Sequence, residues 1–323
     1  MAFTPPADFS GRPSSKREVR SARSRSLRTM AANWQLYVMI APVVAYFIIF
    51  HYFPMYGVQI AFKDFIATKG ITGSSWVGLK HFDQFFQSYY AARIILNTLG
   101  ISLMQLVIGF PIPILLAIML NEVRSSKFKR TVQTVTYAPH FLSSVVLVGM
   151  MVTFLSPRNG IVNLIIELFG GERVNFFTEP GWFKSLYVFS DVWQNMGWAS
   201  IIYLAALAGI DPQQYEAATI DGASKLKKIM YITIPGLMPT AIILLILNVG
   251  TLMSVGFEKV FLMQNDLNLD SSEIISTYVY RKGLIGAQYS FSAAVGLFNS
   301  VINFILLISV NSLSRRVSKT SLW

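Results

Sequence analysis

The chain has 323 residues, of which 53% are hydrophobic and only 13% charged, against about 25% charged residues in an ordinary soluble domain. It contains no cysteine, which excludes a disulfide framework and a thiolate metal site. The net charge is +11, and its placement along the chain carries more information than its size.

In chain order, residues 1–33 form a Ser/Arg-rich tail with few large apolar side chains. No apolar core follows its charges closely enough for a cleaved signal peptide, so it reads as a basic topogenic segment. A bilayer core of about 30 Å needs about 20 apolar residues as helix. Six stretches qualify: Trp34–Ile60, Ile94–Leu120, Val132–Leu155, Trp182–Leu207, Leu237–Phe257 and Tyr289–Leu313. The sequence therefore predicts an all-α membrane protein with six transmembrane helices over residues 34–313 and a short tail, 314–323. Pro42, Pro54, Pro111, Pro113 and Pro139 predict kinks or helix ends where neighbours cover the freed backbone groups.

Lysine and arginine orient these spans. Seventeen of the 27 lie in the N-terminal tail, the loop after the second span (Arg124, Lys127, Lys129, Arg130), the segment Lys225–Lys228 and the C-terminus. With six spans these four regions share one face, the cytoplasmic one, and both termini are inside. Of the outer segments, Ile161–Phe169 is apolar but too short to cross, which suits an interfacial position. Segment Phe257–Gln288 carries Glu258, Lys259, Asp266, Asp270 and Glu273. These read either as a periplasmic docking face or as solvated loop charges.

Polar groups inside spans are costly and face the bundle or a wet cavity. Asp191, Gln194, Asn195 and Trp198 recur at helical spacing and share one face of the fourth span. Asn248 sits in the fifth, and Asn299 and Asn303 share a face of the sixth. This set forms a candidate hydrophilic path, with Trp193 or Trp198 able to stack on a sugar ring. The competing reading is hydrogen-bonded glue between helices. His51 and His140 read as packing residues at span ends, and no metal-ligand spacing occurs.

Between the fourth and fifth spans lies a polar stretch, residues 211–236. Asp211 is a helix cap, Pro212 suits the first helical position, and Gln214 completes capping-box spacing. Gly222 predicts a tight turn. A second helical piece then runs from Ser224 to Ile234, ahead of Pro235 and Pro239. The predicted helix-turn-helix elbow offers the carboxylate of Glu216 on a surface of small residues, Ala217, Ala218 and Ala223. A solvated amphipathic loop is the plain alternative.

Glu216-Ala217-Ala218, then Asp221-Gly222-Ala223, then Ile234-Pro235 resembles the "EAA" loop of ABC importer permeases, with Ile-Pro standing for the usual Leu-Pro. Trp76-Val77-Gly78-Leu79-Lys80-His81-Phe82 resembles the Val-Gly-Leu-x-Asn-Phe element of sugar-type permeases, with His81 in place of asparagine. Together with six spans, these identify the chain as similar to the permease subunits of carbohydrate-class, binding-protein-dependent ABC importers. Within that class it is most similar to permeases of polysaccharide and oligosaccharide importers, such as that for alginate. The resemblance implies a type I importer permease fold whose cytoplasmic coupling loop sits in a cleft of a separate ATPase. Glu216, Ala217, Ala218, Asp221, Gly222 and Ala223 are then the coupling residues. The implied partners are two ATPase subunits holding ATP and Mg, a second similar permease (a heterodimer), a periplasmic or surface substrate-binding protein, a saccharide and the bilayer of the bacterial inner membrane. No nucleic-acid partner is implied.

No G-x-x-x-x-G-K-[ST] loop, H-E-x-x-H or supported Ser/His/Asp set is present, so the chain reads as a transport subunit without a catalytic site of its own. Two alternatives remain at this level. One is an importer permease for a non-sugar solute, and the other a secondary transporter driven by an ion gradient. A non-transporting scaffold is a third class, disfavoured by the lack of a soluble domain.

Overall fold

A computed structural model describes residues 32–318 and 321–322, with side-chain surroundings up to residue 316 and at 321–322. The basic residues of the N-terminal tail lie outside the described residues. The chain separates into two units, one ending at Val58 and one beginning at Gln59.

The first helical run, α1 (Trp34–Phe62), is long and apolar enough to cross a bilayer. A short antiparallel ribbon follows, β1 (Lys63–Asp64) paired with β2 (Ser75–Trp76). Apart from this two-residue pairing, the regular elements among the described residues are helices, as the all-α expectation requires. Gly78, at φ +63°, makes the turn that the Val-Gly-Leu element requires, in a region where only glycine is unstrained. Trp76 stacks on Phe62 at 5.7 Å. Next come α2 (Lys80–Phe86), α3 (Ala91–Glu122), α4 (Ser126–Phe141), α5 (Ser144–Phe154), α6 (Ile161–Leu168) and α7 (Phe183–Ala208). The rest is α8 (Pro212–Ile220), α9 (Lys225–Gly250), α10 (Phe257–Met263), α11 (Leu269–Ser272), α12 (Ile275–Tyr280) and α13 (Tyr289–Ser318).

Four of these helices, α1, α3, α9 and α13, have the length and apolarity of a membrane span. Their outer sides are apolar: on α3, Leu96, Leu103, Val107, Leu115 and Met119 are all exposed at roughly helical spacing, as a lipid-facing helix requires. The third expected span is not one straight helix. α4 and α5 form a pair bent by 102°, and Ser143 caps the new helix by accepting from Val146 N–H at 3.3 Å. α7 has 26 residues, or about 39 Å of helix, enough to cross. Its polar stripe lowers its hydropathy below that of the other four.

Three prolines expected to end or kink helices lie inside continuous runs. Pro54, Pro111 and Pro235 each follow a wide π turn: Ile48–Tyr52, Gln105–Gly109 and Ile229–Thr233. A proline clashes with the carbonyl four residues back and leaves it unbonded. Here those carbonyls belong to Phe50, Val107 and Tyr231, each within a π turn. The local widening accommodates the ring and the helix continues. The expected separate piece from Ser224 to Ile234 is therefore the first part of α9.

The core of the second unit is close-packed around α7. Phe183, Val188 and Val192 pack with Ile101 of α3, Val148 of α5 and Val260 and Met263 of α10. Tyr203 and Leu207 pack with Ala117, Ile118 and Leu237. Gly197 sets the approach of α4 to α7. A Cβ at this position would lie 2.1 Å from the carbonyl oxygen of Thr136, so one of the two backbones would have to move. Gly197→Ala is expected to destabilise the protein by about 1–3 kcal/mol, the usual cost of overpacking. Thermal unfolding of the detergent-solubilised protein measures it. An unchanged midpoint would show that the two helices are not held this close.

Candidate functional site

Two groups of residues stand out, one inside the helical bundle and one on the elbow.

The first centres on Asp191 of α7. Its Oδ2 accepts from Gln105 Nε2 of α3 at 2.6 Å. Its Oδ1 accepts from Asn195 Nδ2, one turn on, at 3.2 Å, and from Lys259 Nζ of α10 at 3.5 Å. Three donors, one of them cationic, satisfy both carboxylate oxygens where an unpartnered polar group would be costly. Lys259 is 5% exposed and also donates to the Tyr187 carbonyl at 3.3 Å. Its ammonium lies 4.9 Å from the centre of the Tyr187 ring, a cation–π distance. Lys259 lies between the spans α9 and α13. Burial pushes its amine down to about 8, and the Asp191 charge opposes that shift.

The remaining stripe residues serve the α4–α5 bend. A broken helix leaves carbonyls without intrahelical partners, and Gln194 Nε2 donates to one of them, Leu142 O, at 2.8 Å. Asn195 Oδ1 pairs with His140 Nδ1 at 2.9 Å, so His140 carries the proton there. His140 stacks on Trp198 at 4.7 Å with planes 6° apart, which occupies one face of the indole.

A cavity of about 340 Å³ opens beside Asp191, between α3, α7 and the end of α9. Asp191, Asn195 and Asn248 line it, together with Ser102, Gln105 and Tyr203. Trp193, Gln194, Trp198, Asn299 and Asn303 are not among its lining residues. Asn303 ties α13 to the end of α9: its Oδ1 accepts from Met253 N–H at 2.9 Å, and its Nδ2 donates to Ser254 Oγ at 2.9 Å. Asn299 lines a separate, apolar cavity of about 510 Å³, and its Oδ1 has no partner. Asn248 donates to Leu244 O at 2.8 Å in its own helix.

The outer charges are not simply solvated. Glu273, 4% exposed, lies between Arg93 at 3.3 Å and Arg281 at 3.4 Å. Arg93 also pairs with Asp270, so the span α3 is clamped to the segment around α11. Glu273 and Lys259 both turn inward, which the sequence reading did not anticipate. It also missed Gln105 and Ser102. Both sit on the same helical face of α3, and that spacing was the available signal.

The second group is the elbow. Asp211 Oδ1 caps α8 by accepting from Gln213 N–H at 2.9 Å, while Gln214 N–H bonds to Asp211 O at 3.2 Å. The cap therefore forms through Gln213 rather than through the expected capping box. Gly222, at φ +72°, closes α8. Gly222 N–H bonds to Thr219 O, and Ala223 N–H reaches back to Ala218 O at 2.9 Å, which is a Schellman motif. Tyr215 Oη and Thr233 Oγ1 lie 3.1 Å apart, and Lys228 Nζ donates to Thr219 Oγ1 at 2.7 Å. Both bonds link α8 to the start of α9. No residue of α8 is buried. Glu216, Ala217, Asp221 and Gly222 are exposed, and Ala218 and Ala223 half-buried. Ile220, 87% exposed, lies one helical turn from Glu216, and Tyr231 on α9 is 74% exposed. Glu216 has no hydrogen-bond or ion-pair partner among the described residues.

Long apolar helices, two of which (α3 and α9) border a polar cavity, suit a membrane transport component. The comparisons are consistent with that class and narrow it. Residues 109–319 match the model for the binding-protein-dependent transport system inner membrane component, and the chain belongs to this family. It is 42% identical over 301 residues to the polygalacturonan/rhamnogalacturonan transport system permease protein YteP of Bacillus subtilis, covering 93% of this chain and 94% of the relative. It is 41% identical over 288 residues to protein LplB of the same organism, covering 89% and 91%. It also superposes on a chain in the crystal structure of a bacterial alginate ABC transporter in complex with an alginate pentasaccharide-bound periplasmic protein. That match has a TM-score of 0.85 at 42% identity, over 91% of this chain and 99% of the other. The resemblance to polysaccharide importer permeases is thereby borne out, and the chain is an integral membrane permease.

Proposed function

We propose that this chain is the permease subunit of an importer for acidic oligo- or polysaccharides of the pectin or alginate type. The observation that carries the reading is one level of identity, 42%, to two proteins over nearly their whole lengths. One is named for transport of polygalacturonan and rhamnogalacturonan, the other belongs to an alginate transporter, and all three polysaccharides contain uronate units. α1, α3, the bent α4–α5 pair, α7, α9 and α13 make six crossings, with both termini and the elbow in the cytoplasm. Lys225, Lys227 and Lys228 on the elbow and the arginines at the end of α13 agree with that orientation.

In this reading the elbow docks in a separate ATPase subunit, which binds ATP and Mg. Glu216 and the exposed Ile220 form the contact, and Gly222 fixes the angle between α8 and α9. The bonds from Tyr215 and Lys228 pass the movement of α8 to α9, whose far end borders the cavity at Asn248. A second, similar permease completes the path, and a binding protein delivers the saccharide on the outer face. Asp191, Asn195 and Asn248 line the route.

Affinity purification of the tagged chain from mild-detergent membranes tests the assembly. The expected result is recovery of an ATPase subunit and a second permease in constant proportion. A chain that purifies alone, in a detergent that preserves a known importer, would contradict it.

A further inference from the structure

Helix α6 (Ile161–Leu168) is built inside out. Asn163, on one face, is 1% exposed. Its Nδ2 donates to the carbonyls of Leu155, Ser156 and Val174 at 3.0–3.1 Å, and its Oδ1 accepts from Val174 N–H at 2.8 Å. The opposite face holds Ile161, Leu164, Ile165 and Leu168, at the spacing of one helical stripe. All four are exposed, Leu168 to 81%, and Phe169, just past the helix, is exposed to 85%. A surface helix in water buries its apolar stripe and exposes its polar residues. Here the polar residue is buried and the stripe is bare, which marks a surface that something apolar covers.

The place of the helix in the fold says what the cover is. Asn163 ties α6 to Leu155 and Ser156, the residues that follow the last turn of α5. Gly160 lets the chain double back there: a Cβ at this position would lie 2.5 Å from the carbonyl oxygens of Phe154 and Ser156. α6 therefore starts at the level where α5 ends, and Val152 and Phe154 in the last turn of α5 are themselves exposed. With 8 residues, or about 12 Å of helix, it is far too short for a core of about 30 Å. The chain then runs on to the exposed Trp182, just ahead of α7, and tryptophan is enriched where a span meets water. An apolar stripe held at the rim of α5 continues the lipid-facing surface of the spans. A soluble protein that docks and leaves meets a face of mixed polarity, and this stripe carries no polar side chain.

We propose that α6 is a membrane anchor, lying flat in the outer leaflet of the bilayer with Ile161, Leu164, Ile165, Leu168 and Phe169 turned into the acyl region. Its partner is lipid, and through Asn163 it holds the outer end of α5 at a fixed depth. The inference rests on the crossings proposed above for the α4–α5 pair and α7, and it is independent of what the importer carries.

The chain has no native cysteine, so single cysteines can be spin-labelled without further changes. The test places Leu164→Cys, Leu168→Cys and Glu172→Cys, one at a time, in the assembled importer. Each is reconstituted in vesicles of phosphatidylethanolamine and phosphatidylglycerol, without binding protein. The labels at 164 and 168 are expected to relax with dissolved oxygen and not with a water-soluble nickel chelate, at a depth of about 5–10 Å below the headgroups. The label at 172, in the exposed turn after α6, should show the reverse. Labels at 164 and 168 as open to nickel as the one at 172 would overturn the anchor. Labels shielded from both reagents would also overturn it, and would show that another protein chain covers the stripe. A membrane-impermeant maleimide, applied to wall-free cells carrying Glu172→Cys, checks the crossings separately. Reaction before permeabilisation is expected. Reaction only afterwards would overturn the proposed crossings and the outer-leaflet position with them, whatever the depth measured at 168.

Discussion

Glu216→Lys is expected to leave the protein folded and inserted but to abolish its coupling to ATP hydrolysis. Glu216 is exposed and unpartnered among the described residues, and a surface change of this kind shifts stability by within about 0.5 kcal/mol. On the proposed reading, the same carboxylate becomes buried against the ATPase. Losing one partner of a desolvated charge pair costs an interface about 2–5 kcal/mol. That corresponds to a loss of roughly 30- to several thousand-fold in affinity. The measurement is co-purification of the ATPase together with transport, compared with Glu216→Gln, which keeps the shape and removes only the charge. Glu216→Gln should lie between Glu216→Lys and the wild type. Normal ATPase recovery and normal transport in Glu216→Lys would remove Glu216 from the coupling surface.

The second large effect is expected at Asp191. In Asp191→Ala, Lys259 keeps its burial and loses its carboxylate, while Gln105 and Asn195 lose an acceptor. Breaking a buried pair from one side costs about 3–5 kcal/mol. The cost here falls towards the lower end, because the Asp191 side chain is 23% exposed. The sign of the pH dependence follows from Lys259. Its folded amine is pushed down to about 8 from an ordinary 10.5, so below about 8 the folded protein must hold a buried ammonium. Between about 8 and 10.5 the unfolded chain keeps a proton that the folded one has released, and this group adds stability as pH rises. Asp191 supports the charged form only. The deficit of Asp191→Ala should therefore be largest below pH 8 and narrow above it. Asp191→Ala with Lys259→Met should recover much of the loss, since no bare ammonium remains. Thermal unfolding across pH 6.5–9 checks both points. A double variant as unstable as the sum of the two single ones would show that the charges are not coupled.

What the sequence made legible was local. Asp211-Pro212 and Gly222 follow capping and left-handed-turn rules that involve neighbouring residues only, and α8 forms between them as expected. The face shared by Asp191, Gln194 and Asn195 follows from helical spacing alone. The partners of that face were not legible. Gln105 and Lys259 lie 86 and 68 residues from Asp191 in the chain, and no spacing rule connects them. Segment Phe257–Gln288 read as outer-loop charge, yet Lys259 and Glu273 are buried against charges on other elements. The bend at residues 142–143 had a signal, because Ser143 and Ser144 interrupt an apolar run and serine is a helix cap. Proline was misleading in the opposite direction. Pro235 read as the end of the Ser224–Ile234 piece, yet the π turn ahead of it lets α9 continue, while Pro111 lies within the expected second span, where a π turn accommodates it.

The central claim, import of acidic saccharides, is tested most directly by uptake of labelled oligosaccharides into cells with and without this gene, with uronate chains compared against neutral glucans. The account predicts that uronate uptake disappears with the gene, returns when it is restored, and leaves neutral glucan uptake unaffected. Loss of neutral glucan uptake alone, or no change in either, would contradict it.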